Sequence, residues 1–307
     1  MIQEPRYTFV GLGEALFDLF PGQQRLGGAP LNVAVHAHRL SAPRGGRAAL
    51  VSRVGQDRLG ELLLRELEER GLETQYIQTD PDRPTGRVYV DFAPGGEPRF
   101  EIVEGAAWDV LQYDFDLEDL AMTCAGVCFG TLAQRDAQAR NTIYRFLDTA
   151  RRAVRLLDVN LRASYGDQRI LDRSCDRASI VKLSESELPE VAGQLGLGAG
   201  GDADSLARKL SRRYRLDLLV LTRGERGTMI YAGETAVEGE PAEYPQAEDA
   251  DPVGAGDAAA AAVLVGRVMR MDPRAIATLA NHCGAFVASQ PGATPELPDS
   301  IVEMVGS

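Results

Sequence analysis

From Ala48 onward, short apolar runs of strand length alternate with longer stretches suited to helices, and this alternation restricts the fold more than any other feature of the chain. The runs at 126–129, 154–159, 180–183 and 218–222 are dominated by apolar residues. Helical stretches lie at 137–152 and 206–214, after Gly254, and as a last pair towards the C-terminus. Strands so apolar along their length must be covered on both faces, and helices between successive strands supply that cover. The pattern therefore predicts an α/β fold, a doubly wound and mostly parallel sheet flanked by helices. The segment from Ala48 fits it, with a buried strand, a glycine-containing loop and a helix that carries Leu59, Leu62, Leu63 and Leu67 on one face as scaffold. Two pieces depart from the alternation. Segments 7–13 and 15–20, separated by GLGE, read as short strands with a tight connection, and TGRVYVDFAPGGEPRFEIV at 85–103 reads as an antiparallel ribbon around a Pro-Gly-Gly turn. LGLGAGGDAD at 195–204 reads as a surface loop, and no internal repeat stands out.

Composition narrows the partners. The 33 Lys and Arg against 45 Asp and Glu give a net charge of −12 with no basic stripe, which argues against nucleic acid and anionic membrane. No run of about 18 apolar residues occurs, and MIQEPRYTFV is not a basic segment followed by a long apolar one, so a cytoplasmic protein is expected. Cys124, Cys128, Cys175 and Cys283 lack a C-x-x-C spacing and read as buried free thiols, while His36, His38 and His282 lack metal-ligand spacing and read as surface or packing residues.

The chemistry concentrates in DPVGAGDAAAAAVLV at 251–265. Gly254, Ala255 and Gly256 precede an Ala-rich stretch of high helix propensity and read as its first turn. The first N–H groups of a helix have no internal partner, and glycines let a ligand approach the backbone, so this turn suits an anion such as a transferring phosphate. Asp257 is then either a helix-stabilising N-terminal charge or a base at the reaction centre. Asp18, among Leu16, Phe17, Leu19 and Phe20, is either a ligand for a hydroxyl or an edge-strand residue turned to water. Asn32 follows Gly27, Gly28 and Pro30 in the first turn of a helix, where it is a helix-start residue or a ligand. The G-x-G of GLGE lacks the third glycine of a dinucleotide site, and no G-x-x-x-x-G-K-[ST] loop or protein-kinase motif is present, so the GAGD turn is the available phosphate device.

These motifs resemble those of the ribokinase-like (PfkB) carbohydrate kinases. DPVGAGD is similar to the second signature of that family, and GGAPLNVAVHAHRL resembles the first, especially that of bacterial fructokinases. The resemblance runs in order from Gly13 to Pro295. It implies a single domain over 1–307 with a small antiparallel β lid from the segments around 14–28 and 85–103. It implies Asp257 as general base, Gly254, Ala255 and Gly256 as anion hole, and Asp18, Gly28 and Asn32 as sugar ligands. LLDVNLR resembles the family's D-x-N-x-R segment, with Arg162 towards phosphate or sugar and a buried charge network as the structural alternative. KLSESEL resembles K-x-N-x-x-E with Ser184 in the place of Asn, which implies Lys182 at the nucleotide and Glu187 at magnesium through water. LTRGERG, with Thr222, Gly224 and Gly227, is similar to the nucleotide loop, and Asn281 with GAFVASQPGATPELP to the segment over the adenine. Asp251 matches a ligand of a monovalent cation in many relatives, so potassium joins ATP and Mg2+ as an expected cofactor. The expected reaction is phosphorylation of D-fructose to fructose 6-phosphate. A 2-keto-3-deoxygluconate or other small-sugar kinase is the alternative within the class, and a silent sugar- or nucleotide-binding regulator the alternative outside it. The expected partners are a small-molecule sugar and ATP, and a homodimer is compatible with the resemblance.

Overall fold

The computed structural model describes residues 6–92, 98–162, 166–198 and 200–306. Thirteen strands form two sheets. The large one contains β1 (Tyr7–Leu12), β4 (Gly46–Gly55), β5 (Ile77–Asp80), β8 (Gly126–Phe129), β9 (Val154–Asp158), β10 (Ile180–Ser184), β11 (Leu218–Thr222), β12 (Thr228–Ala232) and β13 (Thr235–Glu238). Its order is β13-β12-β11-β10-β9-β8-β1-β4-β5. The seven strands from β11 to β5 are parallel, and β12 and β13 continue the edge antiparallel. The small sheet holds β2 (Leu16–Phe20), β3 (Gln23–Gly27), β6 (Gly86–Phe92) and β7 (Pro98–Ile102) in the order β3-β2-β6-β7.

The pleat of the parallel strands divides the interior in two. Phe9, Leu50, Cys128, Leu156, Ile180 and Val220 face one core, and their neighbours Val10, Val51, Val127, Leu157, Val181 and Leu219 face the other. Ten helices cover these faces and the chain ends: α1 (Ala29–Ser41), α2 (Arg58–Glu69), α3 (Phe115–Thr123), α4 (Ala137–Thr149), α5 (Gln168–Arg177), α6 (Leu188–Gln194), α7 (Ala203–Tyr214), α8 (Ala255–Val268), α9 (Pro273–Ala288) and α10 (Asp299–Val302). Residues 258–266 of α8 are all buried, because α8 lies between α1 and α9 and over β8 and β9. Its small side chains permit that approach; a Cβ at Gly266 would stand 2.9 Å from Ile276.

Several details differ from expectation. The segments flanking GLGE do not share a sheet: Gly13 at φ 147° turns the chain out of β1 and into the small sheet. The two hairpins of the small sheet are antiparallel internally and join through parallel β2 and β6, which makes β2 an interior strand rather than an edge. The β12–β13 hairpin and helices α3, α5 and α6 had no counterpart in the sequence reading, since their apolar periodicity is short. The Pro-Gly-Gly turn at 94–96 lies outside the described residues. Among the described residues, no helix is long and apolar enough to cross a membrane.

Candidate active site

The start of α8 is built by close packing. Gly254 caps the helix in the left-handed region at φ 81°, and a Cβ there would stand 2.4 Å from the Ala293 carbonyl oxygen, so only glycine fits. The helix therefore begins at Ala255, one residue later than the sequence pattern placed it. The Ala255 N–H donates to the Pro252 carbonyl (3.2 Å), whereas those of Gly256 and Asp257 have no backbone partner among the described residues. Of the expected anion-hole trio, Ala255 thus contributes chain geometry rather than a free donor. The Lys182 ammonium lies 3.6 Å from where a Cβ on Gly256 would stand.

Asp257 occupies the first turn of α8 and is half-buried. Its Oδ2 accepts from Asn32 Nδ2 at 2.8 Å, a contact between residues 225 positions apart. Burial, and then the neighbouring Asp158 carboxylate, push its pKa up to about 6. Asn32 is itself buried, and its Oδ1 has no partner among the described residues. A buried acceptor left unpaired is costly, and a ligand hydroxyl would satisfy it. Asp18 projects from β2 half-buried; desolvation lifts its pKa to about 6 against the pull of Arg162 and Arg25. A Cβ at Gly27 would stand 2.8 Å from Asp18 Oδ2, so the glycine next to Gly28 makes room for this carboxylate. Gly28, the N-cap of α1, has φ 115°, and a Cβ there would stand 2.6 Å from the Glu14 carbonyl. Arg162 is exposed, donates to Asn160 Oδ1 at 2.6 Å, and its charge acts on Glu14, Asp18 and Asp257. Asn160 holds φ 40°, an unusual backbone state that sits beside this group.

Of the expected nucleotide residues, Lys182 is in the middle of β10, Thr222 ends β11 and Asn281 lies midway along α9. Lys182 is buried and donates to both oxygens of Asp158 at 2.9 Å. Burial works against its ammonium, but Asp158 more than compensates and holds it charged. Glu187 accepts from Leu161 N–H on Oε1, and from Ser184 N–H and the Ser184 hydroxyl on Oε2, each at 2.7 Å. About one of a carboxylate's four lone-pair directions remains. That fits a magnesium ion held through water and carried by substrate phosphates, and leaves little room for direct ligation. Ser184, where the family pattern has Asn, thus orients Glu187. Thr222 ends β11, and Gly224 and Gly227 bound the turn that follows it, both at positive φ. Asn281 on α9 donates to the Glu240 carbonyl at 2.7 Å and crowds Gly227, where a Cβ would stand 2.8 Å from its Nδ2.

Asp251 does not fit a bare monovalent cation in this arrangement. Its Oδ2 accepts from the Arg25 guanidinium at 2.8 Å and from Gly292 N–H at 3.3 Å, and its Oδ1 from Val253 N–H at 3.0 Å. A cation is already in place. Sequence reasoning missed Arg25, and also Glu14, which the glycine arithmetic of GLGE passed over. Glu14 is buried with Oε2 unpartnered, and desolvation raises its pKa to about 7. His36, expected to be a packing residue, also donates to the Ala293 carbonyl at 3.0 Å, the oxygen that excludes a side chain at Gly254. Arg39 donates to the carbonyls of Thr294 and Pro295, so one face of α1 clamps the loop that shapes the GAGD turn. Its signal was spacing: His36 and Arg39 follow Asn32 at helical intervals of four and three.

Comparison with known proteins gives one consistent relationship. The model of the pfkB family carbohydrate kinases matches residues 18–300. The fructokinase of Klebsiella pneumoniae is 31% identical over 311 residues, covering 94% of this chain and 95% of that protein. A fructokinase with bound ATP from Xylella fastidiosa shares the fold at a TM-score of 0.82 and 24% identity, covering 97% of this chain and 98% of its own. A fructokinase double mutant from Vibrio cholerae, in its fructose, ADP and potassium ion bound form, has a TM-score of 0.78 at 26% identity and covers 99% of each chain.

Proposed function

Given that the chain belongs to the pfkB family of carbohydrate kinases, we propose that it phosphorylates D-fructose to fructose 6-phosphate with ATP. The observation that carries this reading is the Asn32 to Asp257 contact. It joins the motif expected at the sugar to the motif expected at the phosphate in a single hydrogen bond. Asp18, Asn32 and Gly28 then take the sugar, with Arg162 at the rim. Asp257 removes the proton from the acceptor hydroxyl as its oxygen attacks the γ-phosphorus, the bond to the ADP oxygen breaks, and ADP leaves. The free N–H groups of Gly256 and Asp257 and the Lys182 charge favour the negative charge on the transferring group. The turn at Gly224 and Gly227, with Thr222 and Asn281, holds the nucleotide. Glu187 would hold a magnesium ion through water, and the ion would supply charge neutralisation at the ATP phosphates. The small sheet closes over the sugar as a lid on one domain, since Asp18 and Gly28 sit on it and at its junction with α1. Fructose is favoured over other sugars by the fructokinases among the relatives of this chain.

Turnover of ATP against a panel of sugars tests the reading. Fructose should give the highest kcat/KM. A preference for 2-keto-3-deoxygluconate would move the acceptor within the class, and ATP turnover with none of the sugars would leave a binding protein.

The pH profile follows from the Asp257 environment. A base acts ionised, and burial has raised its pKa to about 6. With fructose and ATP saturating, kcat should therefore be full above about pH 7 and fall with unit slope in log kcat as the pH drops through 6, whereas kcat/KM also carries Asp18, raised to about 6 as well. The limb should vanish in Asp257→Asn and persist in Glu14→Gln; the reverse outcome would make Glu14 the titrating group.

A further inference from the structure

Arg25 on β3 and Asp251 ahead of α8 are 226 positions apart in sequence, and their ion pair links the small sheet directly to the loop that enters Gly254. The pair is built from several sides. The Arg25 guanidinium stacks on the ring of Phe20, 5.3 Å from its centroid, and Phe20 belongs to the other strand of the same hairpin. Among the described residues the other partners of the Asp251 carboxylate are backbone N–H groups, Val253 from its own loop and Gly292 from the loop that abuts Gly254, and the Asp251 N–H donates to the Gln290 carbonyl of that same loop. Three segments thus converge on one carboxylate, and among the described residues the full positive charge bonded to it is that of Arg25.

We infer that Arg25 is a positioning residue for phosphoryl transfer and the resident cation of Asp251, so that this chain shapes its GAGD turn without a potassium ion. The effect on turnover rests on the proposed kinase reaction; the site itself does not. Arg25 and Asp251 already sum to zero charge, so a potassium ion added beside them would find no net negative charge to neutralise and a guanidinium already on the carboxylate. To bind, the ion would have to displace a cation tethered by the hairpin and held by a planar donor fork. The cost of losing Arg25 is geometric. Asp251 fixes the loops on both sides of Gly254, and a shift of about 1 Å at a reaction centre can cost as much as ~100-fold in rate.

The test compares wild type, Arg25→Met and Arg25→Lys in potassium, sodium and choline chloride at matched ionic strength, by fructose kinase rate and by melting temperature. Wild type should vary by less than about two-fold in rate and not at all in melting temperature with the identity of the cation. Arg25→Met should lose on the order of 10-fold in kcat in choline, recover in potassium, and melt higher in potassium than in choline as the ion binds the native state. Arg25→Lys keeps a charge and should stay indifferent to potassium. Strong activation of wild type by potassium, a potassium-dependent melting temperature in wild type, or an Arg25→Met variant indistinguishable from wild type in rate and cation response would each overturn the inference. If wild type phosphorylates no sugar, the kinase reading falls, while the melting temperatures still decide whether Arg25 holds the cation position. If Arg25→Met does not fold, the wild-type and Arg25→Lys responses decide it.

Discussion

Asp257→Asn should lower kcat by about 10²–10⁴ while the protein folds as wild type, the range expected for removing a general base. The substitution changes the chemistry with little change in shape. Asparagine still offers an oxygen to Asn32 Nδ2, now 2.8 Å from Asp257 Oδ2, and the N–H groups of the first turn of α8 stay where they are. What is lost is an ionisable oxygen that can take a proton. Burial has already raised the carboxyl to about 6, so near neutral pH it is ionised and still basic enough to help. The measurement is single-turnover phosphoryl transfer with fructose and ATP saturating, beside a melting curve. The loss corresponds to about 3–5 kcal/mol in the barrier. A variant with near wild-type kcat would remove Asp257 from proton transfer and leave it a helix-terminal charge.

The second large effect separates two residues that the sequence treats alike. Asp18→Ala should lower kcat/KM for fructose by roughly 5- to 150-fold and leave the ATP KM within about three-fold, because a hydroxyl of the sugar loses its partner at a cost of about 1–3 kcal/mol. Asn32→Ala should do the same and also depress kcat at saturating fructose, since Asn32 bonds Asp257 directly. Asp18 shows no contact with Asp257 and acts on binding alone. Initial rates with each substrate varied separately distinguish the two patterns. An equal fall in ATP binding, or untouched fructose kinetics in both variants, would make these residues structural.

The fold was largely legible because its signals are local. Apolar runs such as LLVLT in β11 and the leucine face of α2 report strand and helix within a few residues, and strand–helix alternation leaves few sheet topologies open. The β12–β13 hairpin was not legible; four- and five-residue strands at the edge of a sheet carry too short a period. The GLGE turn misled for a different reason. Whether two neighbouring strands pair depends on the direction of the turn, and Gly13 at φ 147° sends them to separate sheets.

The site divides in the same way. The sequence by itself determined which residue types stand at the candidate site: a glycine turn into a helix at Gly254 to Gly256, the acid at Asp257, and polar residues such as Asn32 at the starts of elements. Those features follow from backbone sterics and helix-end valence, which act over a handful of positions. Only the tertiary structure decided their partners. It placed Asn32 against Asp257, and buried Glu14 with no partner for Oε2 among the described residues. It also gave Asp251 to Arg25 rather than leaving it open for an ion. The Asn32 and Arg25 pairings join segments more than two hundred residues apart, and a pairing of that kind leaves no periodicity in the chain.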